Sequence, residues 1–162
     1  MPKAIVLGNG SVLIGLDNNG QVKDLYYHYA GLEDHVEKLV HKIGIMLDGA
    51  FTWLDNGSWQ IKVNSEKDTM ASDIYAENSS AGLIIRFSDV IYNEKNIFLR
   101  EVTIENLYDI RRQIKFFFNQ QFNISETQRR DTAYYDPPDN VVIHYKGRRV
   151  FLANALVSNL TE

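Results

Sequence analysis

Apolar and polar residues alternate along most of the chain, in short runs separated by tight-turn dipeptides. Val12, Ile14 and Leu16 share one face of the first clear run, and a second extended run begins at Gln21. The Asn19-Gly20 dipeptide between these runs predicts a type I′ hairpin turn, with positive φ at both central residues. The chain therefore opens with antiparallel strands.

The same alternation continues to the last residues. It predicts further strands over the segments 41–47, 50–54, 59–63, 70–77, 83–91, 97–104, 114–124, 141–145 and 150–155. Most neighbouring segments are joined by turn dipeptides such as Asp48-Gly49 and Asn56-Gly57. An all-β chain of ten or more strands at this length predicts two stacked antiparallel sheets or a barrel.

Four local expectations follow from this pattern. Met70 is expected on an inward face, and a change of apolar parity predicts a β-bulge near Arg100-Glu101. One strand with a single buried face is expected from Ile114 to Ile124. Residues 125–139 are expected to form a polar loop, since the adjacent prolines Pro137 and Pro138 do not fit a central strand.

Composition narrows the class of protein. A chain of 162 residues is one domain by default, here over 1–162. A net charge of −4 argues against a nucleic-acid partner, and the three Arg-Arg pairs are expected to be solvated strand ends. The absence of cysteine excludes disulfides and thiolate sites. The N-terminal apolar run is too short for a signal peptide, and no run reaches membrane-spanning length, so we expect a cytoplasmic protein without membrane contact.

The segment 24–35 departs from the alternation and concentrates polar chemistry. It holds three tyrosines, two histidines and two adjacent carboxylates within twelve residues. Segments that break a regular pattern are common at functional sites. The candidate site residues here are Tyr26, Tyr27, His28, Glu33 and His35. After Gly31 the segment has the composition for a helical turn, but its apolar spacing is irregular.

The spacing of the histidines and carboxylates gives little support for a metal site or for acid–base catalysis. His28, His35 and His41 match no helical histidine motif, so we expect neither a metal site nor another cofactor. Glycoside hydrolysis requires two carboxylates, but adjacent residues such as Glu33 and Asp34 point apart on a strand. We therefore assign no catalytic residue.

Tyrosines on an all-β scaffold can bind a sugar by stacking on its C–H face. Tyr134 and Tyr135 lie in the expected polar loop and have no obvious core to fill. They join the candidates for a substrate rim or a domain interface.

Seven stretches, in order, resemble the N-terminal domain of the prokaryotic glucoamylase and glucodextranase group, glycoside hydrolase family 15. They are LGNG (7–10), DNNGQVKDLYY (17–27), GLEDHV (31–36), DGAFTWL (48–54), VTIENL (102–107), DTAYYDP (131–137) and HYKGRRVFL (144–152). The family pattern usually has proline at the position of His28 and often asparagine at the position of Asp34. The resemblance spans nearly the whole chain.

This resemblance implies an antiparallel two-sheet supersandwich of the galactose-mutarotase-like type, of which the chain would be an incomplete fragment. It also implies that two catalytic glutamates lie in a following (α/α)-barrel domain, absent from these residues. The parent would hydrolyse α-glucosidic bonds with inversion. The expected partners are then the C-terminal catalytic domain of the same polypeptide and an α-glucan or oligosaccharide.

Two other classes stay open at this point. A stand-alone carbohydrate-binding or aldose-epimerase-like protein could use the histidines and a carboxylate, and a purely structural domain would contact no ligand. An incomplete sandwich would expose strand edges and apolar surface, which predicts self-association of the fragment.

Overall fold

Strands dominate the computed structural model, which describes residues 3–127 and 129–157. Their bounds are β1 Ile5–Gly8, β2 Val12–Leu16, β3 Val22–Tyr27, β4 Lys42–Leu47, β5 Ala50–Trp53, β6 Gln60–Ser65, β7 Ser72–Asn78, β8 Leu83–Ile91, β9 Phe98–Asn106, β10 Ile114–Asn119, β11 Thr132–Asp136, β12 Val141–Lys146 and β13 Arg149–Ala153. One 3₁₀ turn covers Ile124–Glu126. The expectation of an all-β chain is confirmed.

The strands form four antiparallel sheets within the described residues. Sheet I has the order β1-β2-β3, sheet II β10-β4-β5, sheet III β6-β7-β8-β9 and sheet IV β11-β12-β13. A β-bridge between Val22 and His41 joins sheets I and II, and the Ile43 N–H donates to the Gln21 side chain beside it (2.9 Å). Sheets I and II thereby form a continuous layer.

One apolar core lies between this layer and sheet III. Most of its fully buried side chains come from β2, β4, β7 and β8, and they include Leu16, Ile45, Ile74 and Phe87. The period-2 alternation explains this directly, because every second residue of a strand faces the same side. The inward sets expected for the first strand and for 41–47 are confirmed, and the arrangement is that of a β-sandwich.

The first hairpin turn differs from the expected type. Gly20 has a φ of 69°, whereas Asn19 does not enter the positive-φ region. The Gly20 N–H donates to the Asp17 carbonyl (3.0 Å), and the Asp17 carboxylate accepts from the Gln21 N–H (2.9 Å). This is a type I turn followed by a left-handed glycine, so one residue more than expected is used. The type I′ signature occurs instead at Asp48 and Gly49, with φ of 48° and 90°.

The expected bulge near Arg100 is wrong. Pairing of β8 with β9 runs without interruption from Leu83↔Asn106 to Ile91↔Phe98. The apolar parity changes because Arg100 occupies an inward position, where it pairs with the fully buried Asp89. Leu99 faces outward and is 50% exposed.

Three further expectations are corrected. Met70 is exposed because β7 begins only at Ser72. The strand from Ile114 ends at Asn119, and Ile124 starts the 3₁₀ turn. The expected polar loop contains β11, an edge strand that needs a partner on one side only, and the two prolines lie in the turn after it.

The segment after Gly31 contains no helical turn. Asp34 instead forms an isolated antiparallel bridge with Tyr26. Among the described residues, no helix is long and apolar enough to cross a membrane.

Candidate functional site

A shallow cavity of about 290 Å³ opens where the loop after β3 meets the start of β13. Its lining residues are Tyr27, His28, Tyr29, Leu32, Glu33 and Arg149. Tyr27 is the last residue of β3, where the strand gives way to the irregular segment noted in the sequence. The Tyr27–His28 peptide bond is cis.

Glu33 and Arg149 form the charged wall of the cavity. The Arg149 Nε and Nη2 groups donate to one Glu33 oxygen, at 3.1 and 3.0 Å. Ser125 Oγ approaches the same oxygen at 3.4 Å. The hydrogen bond from Arg149 lowers the pKa of Glu33, so this carboxyl is ionised near neutral pH. The Arg149 guanidinium also lies 6.0 Å from the ring centre of Tyr27, within cation–π range.

His35 lies behind the cavity wall with no exposed surface. Its Nδ1 accepts from the Ser125 N–H at 3.0 Å, which places the ring proton on Nε2. Nε2 in turn donates to the Tyr27 carbonyl at 2.7 Å. Burial lowers the pKa of His35, and both ring nitrogens are already engaged with backbone. His35 therefore positions the loop and has no free nitrogen for proton transfer.

Asp34 fixes the loop from the other side. One of its carboxylate oxygens accepts from the N–H groups of Leu25 and Val36, both at 3.0 Å. Its own N–H donates to the Glu126 carboxylate at 3.0 Å. The position requires an oxygen acceptor, which aspartate and asparagine both supply.

A cluster of aromatic and histidine rings connects the cavity to sheet IV. Phe151 lies at its centre, with ring centres 6.0 Å from Tyr27, 4.9 Å from His35 and 5.0 Å from Phe122. Phe122 also contacts His144 at 4.5 Å. Together with the Glu33–Arg149 pair, these rings hold sheet IV against the body of the domain.

The lysine at the end of β12 adds a polar clamp. Lys146 Nζ donates to the Ile124 carbonyl at 2.7 Å and to the carbonyl and hydroxyl of Thr127. It also pairs with Asp131 at 3.3 Å. The segment between β10 and β11 is thus tied to sheet IV by a partly buried cation.

The seven candidate residues separate into three groups. Tyr27, His28 and Glu33 line the cavity, and His35 supports its wall. Tyr26 is not among the lining residues, and its ring packs under the Lys3 ammonium at 5.3 Å. Tyr134 and Tyr135 lie on β11 and are about half exposed, outside the cavity lining; Tyr135 donates to Asn140.

Arg149 and Phe151 are site residues that the sequence pattern did not single out. Arg149 belongs to an Arg-Arg pair that was expected to be solvated, yet its side chain is only 27% exposed. The alternation of β13 assigns Arg149 and Phe151 to one face, which is a signal that they share a partner.

The histidines do not converge. His41 is buried at the junction of sheets I and II, where Nε2 bonds to the Gln121 carbonyl at 3.1 Å. Among residues 3–127 and 129–157, no three metal-binding side chains come together. The cavity offers one carboxylate, two tyrosines, a histidine and an arginine, a set suited to holding a hydroxylated ligand.

The chain is 23% identical over 146 residues to an uncharacterized glycosyl hydrolase of Methanocaldococcus jannaschii. The aligned region covers 90% of this chain and 23% of that protein, so the chain spans about a quarter of the length of the curated relative it matches. No protein-family model and no solved structure matches the chain. The similarity indicates a protein related to glycosyl hydrolases.

Proposed function

We propose that this chain is the non-catalytic N-terminal sandwich region of a glycosyl hydrolase of the glucoamylase and glucodextranase group. In this role it packs against a catalytic (α/α)-barrel of the same polypeptide and contributes Tyr27, His28 and Glu33 to the rim of the substrate pocket. The parent enzyme would cleave α-glucosidic bonds of a glucan or oligosaccharide in the cytoplasm.

The similarity to the archaeal glycosyl hydrolase carries this proposal. It extends along 90% of the chain but occupies less than a quarter of the relative, which leaves room for a separate catalytic domain there. The ordered stretches that resemble the family 15 N-terminal domain support the same assignment.

The cavity chemistry supports a role in binding over a role in cleavage. Hydrolysis of a glycosidic bond uses two carboxyl groups, one of them protonated as the general acid. Glu33 is the single acidic residue in the cavity lining, and Arg149 holds it ionised. Tyr27 and Tyr29 offer ring surface on which a pyranose can stack.

An apolar face on sheet IV supports the expected contact with a second domain. The register places Tyr134, Ile143 and Leu152 in one row of this face, and Tyr145 with Val150 in the next. Leu152 is 67% exposed and Tyr134 51% exposed. Apolar surface of this kind commonly marks a protein interface.

Two assays test the proposal. The isolated chain is expected to show no hydrolysis of maltooligosaccharides or dextrins, and saturable turnover would overturn the non-catalytic role. In the protein encoded by the complete reading frame, Tyr27→Ala is expected to raise KM for the glucan at least severalfold, whereas the exposed control Tyr92→Ala leaves it unchanged. Equal kinetics for both variants would remove the cavity from the substrate rim.

The aldose-epimerase alternative loses support from the histidine contacts. His35 has both ring nitrogens bonded to backbone, and burial lowers the pKa of His41 to about 4. A mutarotation assay of the isolated chain separates the two functions, since we expect no acceleration over buffer.

A further inference from the structure

The strand β9 forms a long edge of sheet III. All nine of its residues pair with β8 on one side, and no strand of the described residues pairs with it on the other. An edge of this length presents a row of unpaired N–H and C=O groups. β9 has no proline and no bulge and is nine residues long. An inward-pointing charge can also guard an edge, and β9 has one at Arg100, but Asp89 of β8 compensates it.

The inward side chains of β9 are incompletely covered. Phe98, Val102 and Ile104 are partly buried, whereas the inward residues of the neighbouring β8, such as Leu83 and Ile85, have no exposed surface. The inward side chains of β9 are therefore less buried than those of β8, the next strand of the sheet. A further strand beside β9 would restore it.

The layer formed by sheets I and II, which faces sheet III, ends on the same side of the sandwich as β9. β10 is the edge of sheet II, and its inward Ile114 and Phe116 are also only partly buried. The ring centres of Phe116 and the β8 residue Phe87 lie 6.4 Å apart, so β10 faces sheet III across the core. The connection 107–113 between β9 and β10 carries Ile110, which is 64% exposed. The sandwich is open along this side.

The outward face of β9 is acidic. Glu101 and Glu105 are exposed and flank Thr103. If two copies paired antiparallel about Thr103, each Glu101 would lie opposite a Glu105, and pairing about Glu101 would set two glutamates opposite each other. Pairing about Val102 avoids this, but no register of two β9 strands sets a basic side chain opposite either glutamate, because the one basic residue of β9, Arg100, faces inward. Like charges directly opposite destabilise a sheet. The edge is therefore better matched to a strand of different sequence.

We propose that the β9 edge binds an extended segment that adds a fifth strand to sheet III. The segment presents apolar side chains to the core on one face and lysine or arginine opposite Glu101 and Glu105 on the other. Main-chain hydrogen bonds supply affinity in this mode, and the alternating side chains supply specificity. The inference stands on the strand and its charges, independently of the proposed function.

Two nine-residue peptides test this binding. One alternates isoleucine or valine with lysine, and the other has glutamate in place of each lysine. Titration into the 162-residue chain is followed by fluorescence anisotropy of labelled peptide and by amide exchange over 98–106. The lysine peptide is expected to bind about tenfold or more tightly than the glutamate peptide, since two cross-strand charge pairs change sign. It is also expected to slow exchange in β9.

Charge reversal provides the matched variant. Glu101→Lys with Glu105→Lys should invert the preference between the peptides, while Glu66→Lys with Asp139→Lys, which changes the net charge equally at exposed positions away from β9, should retain it. Equal binding of both peptides, or protection outside β9, would overturn the proposal. A homodimer of the unmodified chain with protected β9 amides would overturn the choice of a different sequence as the occupant.

Discussion

The carboxylate of Glu33 accepts two hydrogen bonds from the guanidinium of Arg149, at 3.1 and 3.0 Å, across a sequence separation of 116 residues. This pair joins the loop after β3 to the first residue of β13. It explains why an irregular segment and a terminal hairpin form one wall of the cavity.

Replacing either partner should weaken the docking of sheet IV. Glu33→Gln or Arg149→Met is expected to lower the free energy of unfolding by about 1 kcal/mol, because both side chains are partly exposed and solvent screens the pair. Urea unfolding of the two single variants and the double variant gives the coupling energy. The Glu37–Lys38 pair, whose lysine side chain is 86% exposed, serves as the control, with no measurable coupling expected. Additive effects at Glu33 and Arg149 would contradict a direct interaction.

The Asp89–Arg100 pair should matter far more, because both side chains are buried. The Arg100 Nε and Nη2 groups donate to the two oxygens of Asp89 at 2.6 and 2.8 Å, and Nη2 also donates to the Gly20 carbonyl. Asp89→Asn is expected to cost about 3–5 kcal/mol, since it leaves a buried guanidinium uncompensated. In chemical denaturation, the double variant Asp89→Leu/Arg100→Met should be more stable than Asp89→Asn. A double variant less stable than Asp89→Asn would contradict this explanation.

The free energy of unfolding should decrease as the pH is lowered, because His41 titrates between its folded and unfolded pKa. Burial lowers the pKa of this residue to about 4 in the folded chain, against about 6.5 when unfolded. The unfolded state therefore binds more protons between these values, and the free energy of unfolding should rise from pH 4 to pH 6.5 and then level off. The full effect of this group is about 3 kcal/mol. Urea titrations at several pH values measure it.

His41→Gln tests the assignment of this pH dependence. The variant should flatten the dependence between pH 4 and 6.5, while the exposed His28→Gln control should retain it. His35 and His144 contribute in the same direction, because burial also lowers the pKa of each imidazole. An unchanged slope in His41→Gln would assign the dependence to these two residues.

Gly20 combines a backbone requirement with a packing requirement. Its φ of 69° disfavours other residues, and an added Cβ would lie 3.0 Å from two carbons of the fully buried Ile74. Gly20→Ala is expected to destabilise the fold by about 2 kcal/mol or more. Gly10, with a φ of 92° and open space around it, is the matched control for the backbone cost alone. Equal melting temperatures for the two alanine variants would show that Ile74 adapts without cost.

Self-association of the chain should proceed through the apolar face of sheet IV. Leu152 and Val150 lie next to each other on β13 in period-2 spacing and are 67% and 49% exposed. Sedimentation velocity at rising concentration is expected to detect association, and Leu152→Lys should reduce it. The exposed Met70→Lys, away from this face, should leave association unchanged. A monomer at every concentration would refute the prediction.

Local sequence determined most of the strands and their faces. The alternation at Val12, Ile14 and Leu16 predicts a buried face, because side chains of a strand point alternately to opposite sides whatever its neighbours are. Turn dipeptides located the hairpins for the same local reason, although the Asn19-Gly20 turn adopted a longer form. The unusual composition of the segment 24–35 likewise indicated where the cavity lies, without information on the residues that contact this segment.

Only the tertiary structure decided which residues meet. Arg100 faces inward because Asp89 on the neighbouring strand compensates its charge, and Arg149 is partly withdrawn from solvent because Glu33 lies opposite it. β11 forms beside the prolines because β12 offers it one free edge. These outcomes depend on pairings between segments that are distant in sequence. The alternation of a single strand determines which face a side chain lies on, but it does not determine what that face contacts.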